Sequence, residues 1–155
     1  MEAIESFEVD HDKLNVGLYI SRIDGKNRDI VTYDLRMTRP NAEPCLNAAG
    51  AHSFEHLFAF FVRNCQHKNN IIYVGQMGCL TGFYFIVQDV AAAQVIEMTK
   101  AALQYTAAFE GEIPGSKKTE CGNYAMHNLE EAKEYASKML AALRSWDVDK
   151  LKYSE

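Results

Sequence analysis

The stretch from Ala48 to Asn64, AAGAHSFEHLFAFFVRN, sets a polar triplet into an otherwise apolar helix. A helix turns once in about 3.6 residues, so positions three and four apart share a face. His52, Glu55 and His56 therefore point the same way, while Phe54, Leu57, Phe58, Phe60, Phe61 and Val62 make the rest of the helix hydrophobic. Two neutral imidazoles at this spacing offer nitrogen ligands to a divalent metal, and a carboxylate beside them can carry protons. Histidines that were merely satisfied in a core would not need the glutamate. The feature thus demands a helix buried by other layers and a metal site whose remaining ligands come from elsewhere in the chain.

What surrounds this helix decides the fold class. Phe7 to His11 alternates, Gly17 to Ile23 is rich in β-branched and aromatic residues, and Asp29 to Met37 reads DIVTYDLRM; all three are expected as strands. Gly25-Lys26-Asn27 supplies a hairpin connection between the second and third. After the helix, Ile71 to Met77 and Thr81 to Gln88 read as two further strands bent apart at Gly78-Cys79 and Gly82. Asp89 is placed to cap a helix from about Val90 to Phe109, with Val95, Met98, Ala102, Leu103 and Thr106 on its apolar side. Another helix starts near Asn128 and buries Leu129, Ala132, Ala136, Met139, Leu140 and Leu143, and a short last helix falls in WDVDKLKY. Strands first, then strands and helices without a regular βαβ alternation, predict an α+β fold with helices packed on one face of a largely antiparallel sheet.

At 155 residues, with 48% hydrophobic and 24% charged residues, the chain is expected to form one domain over residues 1–155. A net charge of −5 without a Lys/Arg cluster argues against nucleic acid as a partner. The acidic, alternating start MEAIESFEVDH is unlike a targeting peptide, and no apolar run reaches the length needed to span a membrane. Cys45, Cys65, Cys79 and Cys121 contain no Cys-x-x-Cys pair, so free thiols in a reducing cytoplasm are expected.

A catalytic metal usually keeps three protein ligands and one open position. Cys121, in the Gly-containing loop TECGNYAMH, is the thiol freest to supply the third. Cys65 falls on the apolar side of the histidine helix, and Cys45 sits in a proline-bounded loop that leaves it undecided. His67 and His127 are further possible ligands, although a single loop histidine is more often simply solvated. Glu131 is the acidic competitor, at a distance resembling that of the third ligand in inverted zinc peptidases. On its helix, however, it lies opposite the apolar face, and with Asn128 as N-cap it stands where a glutamate closes a capping box without any metal. Cys79, flanked by Gly78 and Gly82 at a bend, is either inert core or, near a cation, a thiolate able to act as a base.

Five motifs in order carry a wider resemblance: SFEVDH (Ser6 to His11), YDLRM followed by RPN (Tyr33 to Asn41), HSFEHL, MGCLTGFY (Met77 to Tyr84) and ECG…AMHNLEEAK (Glu120 to Lys133). Together they resemble the S-ribosylhomocysteine lyase (LuxS) family along nearly the whole chain. The resemblance implies that His52, His56 and Cys121 hold a divalent metal, natively Fe2+ with Zn2+ or Co2+ as substitutes. It implies that Glu55 and Cys79 are the acid/base pair. It also implies that Ser6, His11 and Arg36 line a substrate pocket built at a homodimer interface. The implied reaction moves a sugar carbonyl along the chain by proton transfers and ends in β-elimination of homocysteine, leaving dihydroxypentanedione, a quorum-signal precursor. Two departures stand out. Tyr73-Val74-Gly75-Gln76 replaces the Asp-Ile-Ser-Pro common before Met-Gly-Cys in the family, and NVGLYIS lacks its usual Ala-Pro. Two other readings of the same residues are an inverted-zincin peptidase using Glu131 and a non-catalytic module stabilised by a metal.

Overall fold

The alternating hydrophobic residues of four segments build one antiparallel sheet, seen in a computed structural model that describes residues 4–153. The strands are β1 (Gly17–Asp24), β2 (Ile30–Arg36), β3 (Ile71–Gln76) and β4 (Gly82–Gln88), in the spatial order β1-β2-β4-β3. Tyr33 pairs with Ile20 on one side and Phe85 on the other, so the central strands stay in register while β1 and β3 each carry an irregularity, between Ile20 and Arg22 and between Ile71 and Tyr73. The period-2 alternation puts Leu18, Tyr33, Leu35, Val74, Phe83, Phe85 and Val87 in the core.

Helix α2 (Ala48–Val62) lies on that face. Phe54 packs on Phe83 with ring centroids 4.7 Å apart, and Phe58 meets Phe85 edge-on at 5.5 Å. Fully burying each such ring stabilises the fold by about 1.5–3 kcal/mol, which fixes the rotation of α2 and hence the direction of its histidines. Helices α3 (Ala92–Ala107) and α4 (Leu129–Ala142) pack against α2 and each other, giving the α+β two-layer arrangement expected from the sequence. The α3 residues Val95, Met98, Ala102, Leu103 and Thr106 are all buried, as are Ala132, Ala136 and Met139 of α4 and Leu143 just after it. Gly50 permits the α2–α4 crossing, because a Cβ there would stand 2.6 Å from the Glu131 Cβ and 2.7 Å from the Tyr135 ring.

Past α4 the chain wraps the exposed edge of β1. Trp146 Nε1 donates to the Leu18 carbonyl at 2.9 Å, Leu151 is buried in a 3-10 turn (Val148–Leu151), and Tyr153 stacks on Tyr19 on the far side of the sheet.

Three sequence expectations are corrected. Phe7 to His11 is not a strand; Glu5–Glu8 forms a one-turn helix, α1, followed by turns through His11. Asp89 is not the cap of α3, because it takes a left-handed φ of 54° and its N–H bonds to the Asp29 carbonyl at 3.0 Å, finishing the sheet instead. The helix starts after Ala91, which makes no side-chain cap bond. The last helix is the 3-10 turn rather than an α-helix.

Candidate metal centre and proton-transfer groups

Both helix histidines are oriented through their inner ring nitrogens. His52 Nδ1 donates to the Met126 carbonyl at 2.7 Å, and His56 Nδ1 donates to the Pro114 carbonyl at 2.9 Å. With the proton committed to Nδ1, each neutral ring presents its Nε2 lone pair outward, the tautomer a metal-binding histidine needs. Gly115 makes room for this: its φ is +73°, and a Cβ there would lie 3.3 Å from the His56 Nδ1.

The loop before α4 brings in the third donor. Cys121, whose N–H bonds to the Lys117 carbonyl at 2.9 Å, places its Sγ 3.4 Å from the His52 Nε2. Ligands of a tetrahedral ion with bonds of 2.0–2.3 Å stand about 3.3–3.8 Å apart, so the pair has the spacing of two ligands of one ion. His127 joins them. The donor atoms of His52, His56, Cys121 and His127 all lie within 4.8 Å of one another. His127 Nε2 is 3.8 Å from the Cys121 Sγ, and its Nδ1 is 3.0 Å from the Ser53 hydroxyl, which also accepts the Asn128 N–H at 2.8 Å. Burial, then the neighbouring His52 and His56, pushes His127 down to about 4, so it stays neutral. The donor set therefore fits a divalent ion with borderline-soft preference.

Glu131 is not part of this group. Its Oε1 accepts from the Asn47 side chain at 2.8 Å, tying α4 to the start of α2. Its N–H does bond to the Asn128 side chain as a cap at 3.1 Å, but the carboxylate does not return to the Asn128 N–H, and it is packed over Gly50 rather than directed to solvent. That removes the ligand a peptidase would require.

Glu55 lies beside the metal donors and shares a cleft with His56, Ala59, Pro114 and Gly115. Burial raises its carboxyl above the usual range, while His56, His52 and the Gln76 backbone N–H pull the other way. A carboxylate so balanced can both accept and release protons.

Cys79 sits in the tight β3–β4 connection. Met77 N–H bonds to the Gly82 carbonyl and Leu80 N–H to the Met77 carbonyl, both at 2.9 Å, and Leu80 adopts φ +55°. The carbonyls of Leu80 and Thr81 are held by the Leu46 and Met37 N–H groups, so the loop is pinned to the rest of the fold. Burial pushes the Cys79 thiol up, but the Thr81 hydroxyl and N–H, the Arg36 charge and its own N–H outweigh this and leave it below the ordinary thiol value. Cys79 lines a cavity of about 430 Å³ with Phe7, His11, Arg36, Gln76, Met77 and Tyr84. His11 is oriented there by its Nδ1 donating to the Val9 carbonyl at 2.7 Å. The backbone of Ser6 lies in α1, and its side chain lies outside the described residues. Among the described residues, none of the cavities described holds both Cys79 and Glu55 within one chain. The departures at Tyr73 and Gly75 belong together: the Tyr73 ring folds over Gly75, where any Cβ would collide with it.

The fold and donor set define an α+β protein in which His52 and His56, on a helix packed against an antiparallel sheet, form with the loop residues Cys121 and His127 a group that could hold a metal ion. Residues 4–150 match the profile of the S-ribosylhomocysteinase (LuxS) family. The chain is 43% identical to the S-ribosylhomocysteine lyase of Finegoldia magna and 42% identical to that of Clostridium acetobutylicum, covering 100% of each pair of chains. It is 42% identical to the S-ribosylhomocysteine lyase of Porphyromonas gingivalis over 90% of both chains. The chain belongs to the LuxS family.

Proposed function

We infer that this chain is a metal-dependent S-ribosylhomocysteine lyase, cleaving its substrate to homocysteine and dihydroxypentanedione. The carrying observation is the full-length likeness to S-ribosylhomocysteine lyases; it is supported by the donor atoms of His52, His56 and Cys121, which lie within 4.8 Å of one another. A divalent ion held by these three, Fe2+ with Zn2+ or Co2+ as substitutes, supplies Lewis-acid polarisation of the substrate carbonyl.

The chain's own groups move the protons. The Cys79 thiolate takes the proton from the carbon next to the carbonyl and returns it to the former carbonyl carbon, while Glu55 carries protons between the two sugar oxygens. Two such exchanges shift the carbonyl from the first to the third carbon. The fourth carbon is then acidic and the fifth bears the sulfur. Removal of the fourth-carbon proton by Cys79 expels homocysteine thiolate, and no electrons are gained or lost overall. Ser6, His11 and Arg36 bind the substrate.

A homodimer completes each site. Two features support this: Cys79 and Glu55 open into different cavities of a single chain, and Phe7, at the mouth of the Cys79 cavity, is 77% exposed. The four unpaired cysteines suit a reducing cytoplasm, and no described helix is long and apolar enough to cross a membrane. The test is thiol release from S-ribosylhomocysteine by purified, anaerobically Fe2+-loaded protein. Stoichiometric homocysteine is expected; no release from a metal-replete dimer overturns the assignment.

A further inference from the structure

A line of polar contacts runs from the back of the sheet to Cys79. The Tyr153 hydroxyl donates to Asp34 Oδ2 at 2.9 Å. Asp34 in turn receives two bonds from Arg36, Nε to Oδ1 at 3.1 Å and Nη2 to Oδ2 at 2.6 Å. The remaining arm of the guanidinium, Nη1, donates to Thr81 Oγ1 at 2.7 Å, and Thr81 Oγ1 lies 3.1 Å from the Cys79 Sγ. Asp34 and Arg36 are 1% and 3% exposed, so neither exchanges these partners for water.

The direction of the last contact follows from what each group can do. A guanidinium only donates, so the Arg36 proton occupies an Oγ1 lone pair. The hydroxyl proton of Thr81 is repelled by that cation and turns away from it. Cys79 Sγ is the acceptor on the other side. Arg36 cannot swing round to replace the hydroxyl, because Asp34 clamps two of its nitrogens and Tyr153 clamps Asp34.

We propose that Thr81 is a positioning residue for Cys79: Arg36 holds its oxygen, so its hydroxyl proton is kept on the sulfur and aims the thiolate into the cavity. The charged and titratable groups facing the sulfur are Arg36 through Thr81 and, across the cavity, His11 and Tyr84. Tyr153 anchors the distant end from a position beyond the residues matched by the family. The proposal rests on Cys79 being the base of the lyase reaction only for its catalytic consequence; the hydrogen bond itself stands apart from it.

The test uses the full-length, Zn2+-loaded protein and follows alkylation of Cys79 by iodoacetamide against pH, with the modified peptide quantified by mass spectrometry. Thr81→Val is expected to raise the apparent Cys79 pKa by roughly 1 unit or more, equivalent to about a tenfold slower alkylation below that pKa. Thr81→Ser, which keeps the hydroxyl, is expected to restore the wild-type profile. In both variants bound zinc and the thermal midpoint report whether the fold is intact. A folded Thr81→Val protein with the wild-type titration overturns the proposal, and so does a shift that Thr81→Ser fails to reverse. If Thr81→Val shifts the titration while Cys79→Ala retains full turnover, the hydrogen bond is upheld and the base assignment falls, so the two readings fail separately.

Discussion

The imidazole of His127 stacks on that of His52, with ring centroids 4.0 Å apart and planes 21° from parallel. It also meets His56 edge-on at 4.9 Å. His127 therefore contacts both helix histidines and Cys121 while being fixed from behind by Ser53 of α2.

His127→Ala should weaken metal binding without unfolding the chain, since His52 and His56 keep their carbonyl partners. Loss of a group that orients or supplements metal ligands typically costs 10–100-fold in affinity, and a loss of about that size is expected here. Zn2+ competition against a chromophoric chelator measures it. Wild-type affinity in the variant would mean that His127 plays no part in holding the ion.

Gly50 sets how closely α4 can approach the metal helix. Gly50→Ala gains roughly 0.5–1 kcal/mol of intrinsic helix preference but drives its methyl group into the Glu131 Cβ and the Tyr135 ring. Overpacking of this kind costs about 1–3 kcal/mol, so a net loss of stability is expected. Urea denaturation reads the difference, and a rise in the denaturation midpoint would show that α4 shifts away without penalty.

The sheet, its helices and the His52–Glu55–His56 face were legible because each rests on a repeat that spans a whole element, two residues for strands and 3.6 for α2. Elements of a single turn carry no such repeat, which is why SFEVDH alternates like a strand yet folds as α1 and a turn through His11. Asp89 has the composition of a cap, but its placement is decided by a bond to Asp29 sixty residues earlier in the chain. His127 is a similar case. Its sequence neighbours mark it as a loop histidine, and contacts distant in the chain, from Asn128 N–H and its own Nδ1 to Ser53 and from Met126 to His52, bring it beside His52 and His56. Glu131 was read as solvent-facing because nothing in its own helix reveals that Gly50, on another helix, leaves space for it. Thr81 stands within the MGCLTGFY motif and at the start of an expected strand, but neither gave its side chain a role; its significance comes from Arg36 on the neighbouring strand.

Cys79 and Glu55 should separate metal binding from turnover. Neither is among the grouped metal donors, so Cys79→Ala and Glu55→Gln are each expected to retain a full complement of metal. Removing a group that transfers protons in the rate-limiting steps lowers turnover by about 100- to 10,000-fold, and kcat should fall accordingly while KM changes little. Metal analysis beside thiol-release kinetics tests both. Metal loss in Cys79→Ala would mean that the roles of Cys79 and Cys121 have been confused.

Tyr153 gives the fold an alkaline limit. Burial first, then the Asp34 carboxylate, raises its phenol above the ordinary value of 10.0. Between that value and the raised one the folded chain keeps a proton that the unfolded chain releases, so stability falls as pH rises. The contribution is complete below about pH 10 and is lost progressively above it. Tyr153→Phe removes the titrating group along with its bond to Asp34. The variant should be less stable than wild type at neutral pH and should lose less on going to alkaline solution, so the two stability curves converge above pH 10. Urea denaturation from pH 7 to 11 measures this, and parallel curves across that range would exclude Tyr153 as the group responsible.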